Sequence, residues 1–372
     1  MKGSRFLLLF GALGLGLLAL AFQQGWLGRP GGGRLNVLLI SIDSLRRDHL
    51  GIYGHRPEYA PGLPVSPNID ALAHEGVVFD SAWSSSSWTL PAHAALMTGL
   101  SDRSHGVEMD DFRIDPLRET LALKLRQAGY STGGFFSGPY LDPKYGFGKG
   151  FDIYESGMIS PVELARAVKR YAAQLEASGQ PHGPQVIRSF RDRASHWDRT
   201  SDRINQKALG FLERQDGKKP FFLFLHYFDV HYDYIPPEAL AKKFDPGYAG
   251  KMDGNNWYFR PDVFDRSEGK RRIGERDLGH VRALYDAELN GVDDHLGRIF
   301  AALKKKGLWE RTLVMLVADH GDEFFEHGFL GHRSTLFREL TSIPMILRVP
   351  GATPPGRRIP ELVRIYDAAP TL

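Results

Sequence analysis

Thr89 stands two residues ahead of Pro91 in the run Trp88-Thr89-Leu90-Pro91-Ala92-His93-Ala94-Ala95-Leu96-Met97-Thr98-Gly99. Pro91 suits a first helical turn, where its missing N–H costs nothing. Ala92 to Met97 are good helix formers, and Gly99 can stop the helix. The run therefore predicts a helix whose mouth carries a hydroxyl nucleophile. Unpaired backbone N–H groups and the helix dipole favour an anionic group there, such as sulfate or phosphate. An ordinary capped helix would use the same residues, so the rest of the chain has to decide between the two.

Asp43 follows the apolar run 35–42, and Asp319-His320-Gly321 follows the apolar run 312–318. Two carboxylates and an imidazole form an O/O/N set that suits one divalent cation. The histidine favours Zn²⁺ or Mn²⁺ over Mg²⁺ or Ca²⁺. Such an ion would bind the Thr89 oxygen, favour its alkoxide and polarise a non-bridging oxygen of the substrate. Thr89 would attack in line, giving a covalent intermediate that water then cleaves. His332, twelve positions after His320, could protonate the leaving oxygen or hold the transferred group. His231 and His332 could hold a second ion. His226 is a candidate for contact with substrate and reads equally well as a satisfied structural histidine. His93 and His105 are further candidates for contact with substrate.

The elements that must position these groups are legible as apolar runs. Residues 35–42, 220–228 and 312–318 read as strands buried on both faces, and 343–349 as a fourth in spite of Pro344. Helical spacing recurs over 66–75, 120–128, 201–212 and 278–306, the last with Leu284, Leu289, Val292, Leu296, Ile299 and Leu303 on one stripe. Strands alternating with such helices predict an α/β fold, a mostly parallel central sheet sandwiched by helices. Ligands collect at the carboxyl ends of the strands in sheets of this kind. Three of these strands deliver Asp or His at that end. Residues 178–197 and 242–276 show no clear period, and Trp257, Tyr258 and Phe259 predict a packed, substrate-covering loop in the second stretch.

A chain of 372 residues can bury a large core. Its 47 basic and 44 acidic residues nearly balance, which gives no reason to invoke nucleic acid as a partner. With no cysteine there is no disulfide, thiolate metal site or cysteine nucleophile. Lys2 and Arg5 precede an apolar run from Phe6 to Phe22. Residues 1–27 read as a secretory signal peptide, with a small-residue cleavage site at Ala19-Leu20-Ala21, or as an uncleaved signal anchor giving a single-helix membrane attachment. Residues 28–34 read as a linker. The working part is then an extracytoplasmic domain over 35–372.

In order along the chain, these marks resemble the sulfatase family of the alkaline-phosphatase-like superfamily. The segment from Asp43 to Gly54 is similar to the family's first metal-binding segment, and Thr89 to Gly99 to its nucleophile signature. Asp319-His320-Gly321-Asp322-Glu323, then Glu326-His327-Gly328, is similar to its second metal segment. Residues 331–337 resemble the substrate-contact turn, and 367–372 a late helix opening. The resemblance implies an alkaline-phosphatase-like fold, metal ligands at Asp43, Thr89, Asp319 and His320, and Asp322 and Glu323 behind them. It places His332 where a substrate-binding Lys or His stands and His226 and His231 facing the same pocket, with His231 a catalytic candidate beside Thr89 and His332. It also implies that a helix continues beyond Leu372 and that a C-terminal subdomain is missing from 35–372.

The departures decide the chemistry. Sulfatases carry Cys, or sometimes Ser, at the position of Thr89, and oxidise it to formylglycine. Threonine cannot supply formylglycine. His93 replaces the familiar Arg of the signature, and Ser44 replaces the usual second Asp after Asp43; both changes weaken a Ca²⁺-centred sulfatase site. Threonine with an Asp/Asp/His set looks more like the phosphodiesterases and phosphotransferases of the superfamily. The expected activity is metal-dependent hydrolysis of phosphate, and less readily sulfate, esters through Thr89. The alternatives are transfer of a phospho-group to an alcohol, and a non-catalytic binding homologue.

Overall fold

Strand β1 (Asn36–Ile42) and strand β5 (Phe221–Tyr227) are apolar along nearly their whole length because both faces are covered, and every residue of each is buried. The same holds for β6 (Thr312–Ala318). A computed structural model describes residues 34–180, 183–184, 186–187, 190–191, 199–255 and 257–372. The leader, 1–27, and nearly all of the linker lie outside the described residues. Among the described residues no helix is long and apolar enough to cross a membrane.

These strands sit at the centre of an eight-stranded sheet of order β8-β2-β7-β6-β1-β5-β3-β4. The others are β2 (Val77–Trp83), β3 (Ser131–Phe136), β4 (Ile153–Ser156), β7 (Met345–Arg348) and β8 (Arg357–Arg364). All run parallel except β7, which pairs antiparallel with both β2 and β6. The mostly parallel α/β sheet expected from the sequence is therefore present. β7 begins at Met345 rather than 343, because Pro344 has no N–H to give the ladder.

Register is what aligns the chemistry. Ile42 of β1 lies opposite Tyr227 of β5 on one side and Ala318 of β6 on the other. The three strands thus end level, and the residues that leave them, Asp43, Phe228 and Asp319, emerge side by side. Asp43 N–H still donates to Tyr227 O at 2.9 Å, which fixes where Asp43 leaves the sheet.

The helices predicted from spacing are all present with small shifts at their ends: α1 (Pro67–Glu75), α2 (Thr89–Thr98), α3 (Leu121–Gln127), α5 (Arg199–Glu213) and α7 (Glu275–Lys305). Two more, α4 (Pro161–Ala177) and α6 (Glu238–Phe244), were not foreseen. The signal for α4 was in the sequence: Ser160 and Glu163 form a reciprocal capping box at its start. Strand β3 hides behind Gly133 and Gly134, which read as breakers. A Cβ at Gly133 would come 2.8 Å from Phe211, and one at Gly134 2.6 Å from Tyr154, so glycine is required by packing. Within 242–276, Trp257 is fully buried and Phe259 is 57% exposed, so that stretch is anchored at one ring and open at another.

Candidate active site

Helix α2 opens at Thr89 and closes at Gly99, whose φ of 69° is left-handed. The residue before it, Trp88, is extended and supplies no side-chain cap. Thr89 Oγ1 is therefore free of the capping role and turns to the strand ends. It donates to Asp43 Oδ2 at 3.3 Å and lies 3.4 Å from His320 Nε2. His320 Nε2 is also 3.3 Å from Asp319 Oδ2 and 3.6 Å from Asp43 Oδ1. The four groups named from the sequence as metal ligands, Asp43, Thr89, Asp319 and His320, are thus brought together and buried.

Backbone groups set the ligand atoms. Asp319 Oδ1 accepts from Ser44 N at 3.1 Å and from His320 N at 2.8 Å, which leaves Oδ2 buried without a hydrogen-bond partner. His320 Nδ1 donates to Gly321 O at 3.0 Å, so Nε2 carries the lone pair and faces the cluster. Burial pushes the Asp43 carboxyl upward, but the His226 contact and the charges of His231 and His320 outweigh it and hold Asp43 well below the usual range. Burial and the neighbouring Asp43 carboxylate push Asp319 well above it. Burial, then His332, lowers His320 to about 4, keeping it neutral. Two facing carboxylates that cannot both ionise, an orphaned Oδ2 and a neutral imidazole are the donors a divalent cation would satisfy. Asp43, Asp319 and His320 bring three ligand atoms within reach of one such ion.

The remaining histidines divide into a floor and a mouth. His93 and His226 are 0% exposed and form the floor. His93 Nδ1 donates to Thr89 O at 2.9 Å, and its Nε2 accepts from Ser41 Oγ at 2.9 Å. His226 Nδ1 donates to Ser137 O at 2.8 Å, and its Nε2 lies 3.5 Å from Asp43 Oδ2. Both were offered as substrate contacts, and the structure corrects this for His93: with both nitrogens bonded and no exposure, it holds the first turn of α2 from beneath. His105 is corrected likewise. It sits in the short helix Asp102–His105, where Nε2 pairs with Asp102 Oδ1 at 3.0 Å and Nδ1 accepts from Val107 N at 3.0 Å.

His231 and His332 make the mouth, their ring centres 5.0 Å apart. His231 lies in the loop beyond β5, not on the strand, with Nδ1 donating to Tyr232 O at 2.5 Å. His332 stands 4.4 Å from the His320 ring and donates from Nδ1 to Asp322 Oδ1 at 2.6 Å. Tyr234 Oη donates to the other oxygen, Asp322 Oδ2, at 2.5 Å. Burial raises Asp322 to about 6 and lowers His332 and His231 to about 4. Glu323, offered as a second supporting carboxylate, accepts from Thr335 Oγ1 at 2.5 Å.

Sequence reasoning missed Tyr234 and Tyr285. Tyr285 Oη donates to Ser44 O and accepts from Arg46 N, both at 2.8 Å, and so clamps the turn after Asp43. Its place on the apolar stripe of α7 gave no sign of this. Ser44 itself has a left-handed φ of 54°, a strained backbone that aims its N–H at Asp319.

A family model described as Sulfatase matches residues 35–372. The chain belongs to the sulfatase family. It is a sulfatase-family hydrolase with the alkaline-phosphatase-like fold. An arylsulfatase of Clostridium perfringens is 24% identical over 367 residues, covering 91% of this chain and 74% of the relative. The multifunctional alkaline phosphatase superfamily protein PehA of Trinickia caryophylli is 27% identical over 381 residues, covering 91% and 73%. Among solved structures, the phosphonate monoester hydrolase of Agrobacterium radiobacter superposes with a TM-score of 0.67 at 24% identity, covering 91% of this chain and 73% of that one.

Proposed function

We propose that this sulfatase-family hydrolase cleaves phosphate esters with Thr89 as a direct nucleophile. One observation carries the reading: the residue at the head of α2, in contact with Asp43 and His320, is a threonine, which cannot become formylglycine. A phosphothreonine is open to attack by water at phosphorus. A sulfothreonine lacks the route by which a formylglycine hydrate expels sulfate.

Asp43, Asp319, His320 and the Thr89 hydroxyl would hold the divalent ion. When bound, such an ion supplies charge stabilisation at the reacting oxygens and lowers the pKa of a hydroxyl beside it. Thr89 Oγ1, oriented by its hydrogen bond to Asp43 Oδ2, gives up its proton to solvent and attacks phosphorus in line. Burial keeps His332 neutral in the free site, and a phosphate dianion beside it favours the imidazolium. His332 Nε2 then protonates the departing alcohol oxygen. Neutral again, it accepts a proton from the water that attacks the phosphothreonine, as the bond from phosphorus to Thr89 Oγ1 breaks and Oγ1 regains a proton from solvent. Asp322 holds the ring and stabilises its charged form. The apolar leader over 1–27 supports an extracytoplasmic address for this activity.

The test compares aryl phosphate mono- and diesters with aryl sulfate, using wild type and Thr89→Ala. Wild type should turn over phosphate esters and carry a trapped phosphate adduct on Thr89 in the mass spectrum. Thr89→Ala should lower kcat/KM by ~10³-fold or more. Sulfate turnover without phosphate turnover, or a Thr89→Ala enzyme as active as wild type, overturns the reading.

A further inference from the structure

Among the described residues, four groups of His and acidic side chains bring at least three ligand atoms within 4.8 Å of one another. Three include Asp319 or His320 and belong to the site above. The fourth, His49, His55 and Asp286, stands apart from it. We propose that these three side chains form a separate centre for a zinc-class divalent cation, one that ties the Asp43 segment to α7.

The residues come from three places in the chain. His49 closes the 3₁₀ turn Arg47–His49 that follows β1, and His55 lies just beyond the next turn, Gly51–Tyr53. Asp286 is in the middle of α7. His49 Nδ1 lies 2.7 Å from Asp286 Oδ1; His55 Nε2 lies 3.0 Å from the same Oδ1 and 2.8 Å from Oδ2. The two imidazole rings are 4.5 Å apart. A carboxylate accepting two N–H bonds would have these neighbours without any ion. What points to an ion is the convergence of different nitrogens, Nδ1 of one ring and Nε2 of the other, on one carboxylate. Both imidazoles can shift their proton to the far nitrogen and present lone pairs instead. Burial favours the neutral, ligating form of His49.

Two imidazoles and one carboxylate suit Zn²⁺ over Mg²⁺ or Ca²⁺. His55 keeps 16% of its side chain exposed, which leaves a path for the ion and for a water in the fourth position. The nearby Arg46 guanidinium is neutralised by Asp48 at 2.7 Å and Glu326 at 2.6 Å, so the ion would not face an unpaired cation. The consequence follows from Tyr285, next to Asp286, which already grips Ser44 and Arg46. A cation here joins residues 44–55 to α7 at a second point and steadies the turn that carries Asp43.

The experiment is a metal count on the full chain, equilibrated with excess zinc, desalted and analysed by mass spectrometry. His55→Gln and Asp286→Asn should each carry about one equivalent less than wild type. Asp319→Ala, which removes the cluster at Thr89, should keep that equivalent. Zinc should raise the Tm of Asp319→Ala and leave the Tm of Asp319→Ala/His55→Gln unmoved. Cobalt added to Asp319→Ala should give visible absorption that the double variant lacks. His55 is partly exposed, so its Gln variant folds even if Asp286→Asn does not. Equal zinc in wild type and His55→Gln, with the same zinc response of Tm in the single and double variants, overturns the proposal. No step depends on turnover, so a failed phosphate assay leaves this result standing.

Discussion

The floor of the site and His332 at its mouth are both histidine, yet they are bonded differently. His93 and His226 on the floor give Nδ1 to backbone carbonyls, Thr89 O and Ser137 O, as His320 does to Gly321 O. His332 at the mouth gives Nδ1 to a carboxylate, Asp322. A carbonyl fixes which nitrogen holds the proton; a carboxylate does that and also stabilises the imidazolium. The floor therefore positions, and His332 is equipped to carry a proton. Identical residue types, lowered by desolvation where a shift is resolved, are divided by the charge of one partner each.

This division makes kinetic and stability effects separable. The largest should fall on the mouth: His332→Ala should lower kcat for alkyl phosphate esters by ~10²–10³-fold, and less for a nitrophenyl ester whose leaving group needs no proton. Its Tm should barely move. A uniform loss across leaving groups would place His332 with the floor.

The next effect belongs to His93. Burial, then the charge of His226, lowers it to about 3 in the folded chain, against 6.5 unfolded. A depressed folded value means that the unfolded chain binds more protons between these limits. The stability contribution is therefore complete above pH 6.5 and is lost as pH falls toward 3. Between pH 7 and pH 5 His93 should account for on the order of 2 kcal/mol of the loss measured by urea unfolding, so the loss should shrink by about that much in His93→Gln. An unchanged pH dependence in that variant would break the contrast.

The smallest effect is expected outside both layers. His105→Ala removes bonds only to Asp102 and Val107. It should cost roughly 1 kcal/mol of stability and leave kcat/KM within about twofold. A large kinetic loss would mean that the mouth extends further than His332 and His231.

Much of the site was legible because its candidate ligands sit directly after continuous apolar runs. Such runs must be central strands, so Asp43 and Asp319-His320 had to emerge at the carboxyl ends of those strands. The helix at Thr89 was legible from Pro91 and Gly99. The strands missed were β2, β3, β4 and β8; the pattern of β3 is set by neighbours, with glycines demanded by Phe211 and Tyr154, and β8 is an edge strand with five of its eight residues exposed. The roles of His93 and His105 were misread for the same reason. Which way a ring faces, and whether its nitrogens are already bonded, depends on residues distant in sequence, such as Ser41 for His93.

The sequence by itself determined the family, the buried strands and the threonine at the head of α2, because each rests on residue type at a fixed local spacing. The tertiary structure alone decided which histidines are floor and which are mouth. It also revealed the Tyr285 clamp, the Tyr234–Asp322–His332 chain and the His49–His55–Asp286 cluster. Each of these depends on side chains from separate elements meeting within hydrogen-bond range, and the level register of β1, β5 and β6 is what brings the ligands at their ends together.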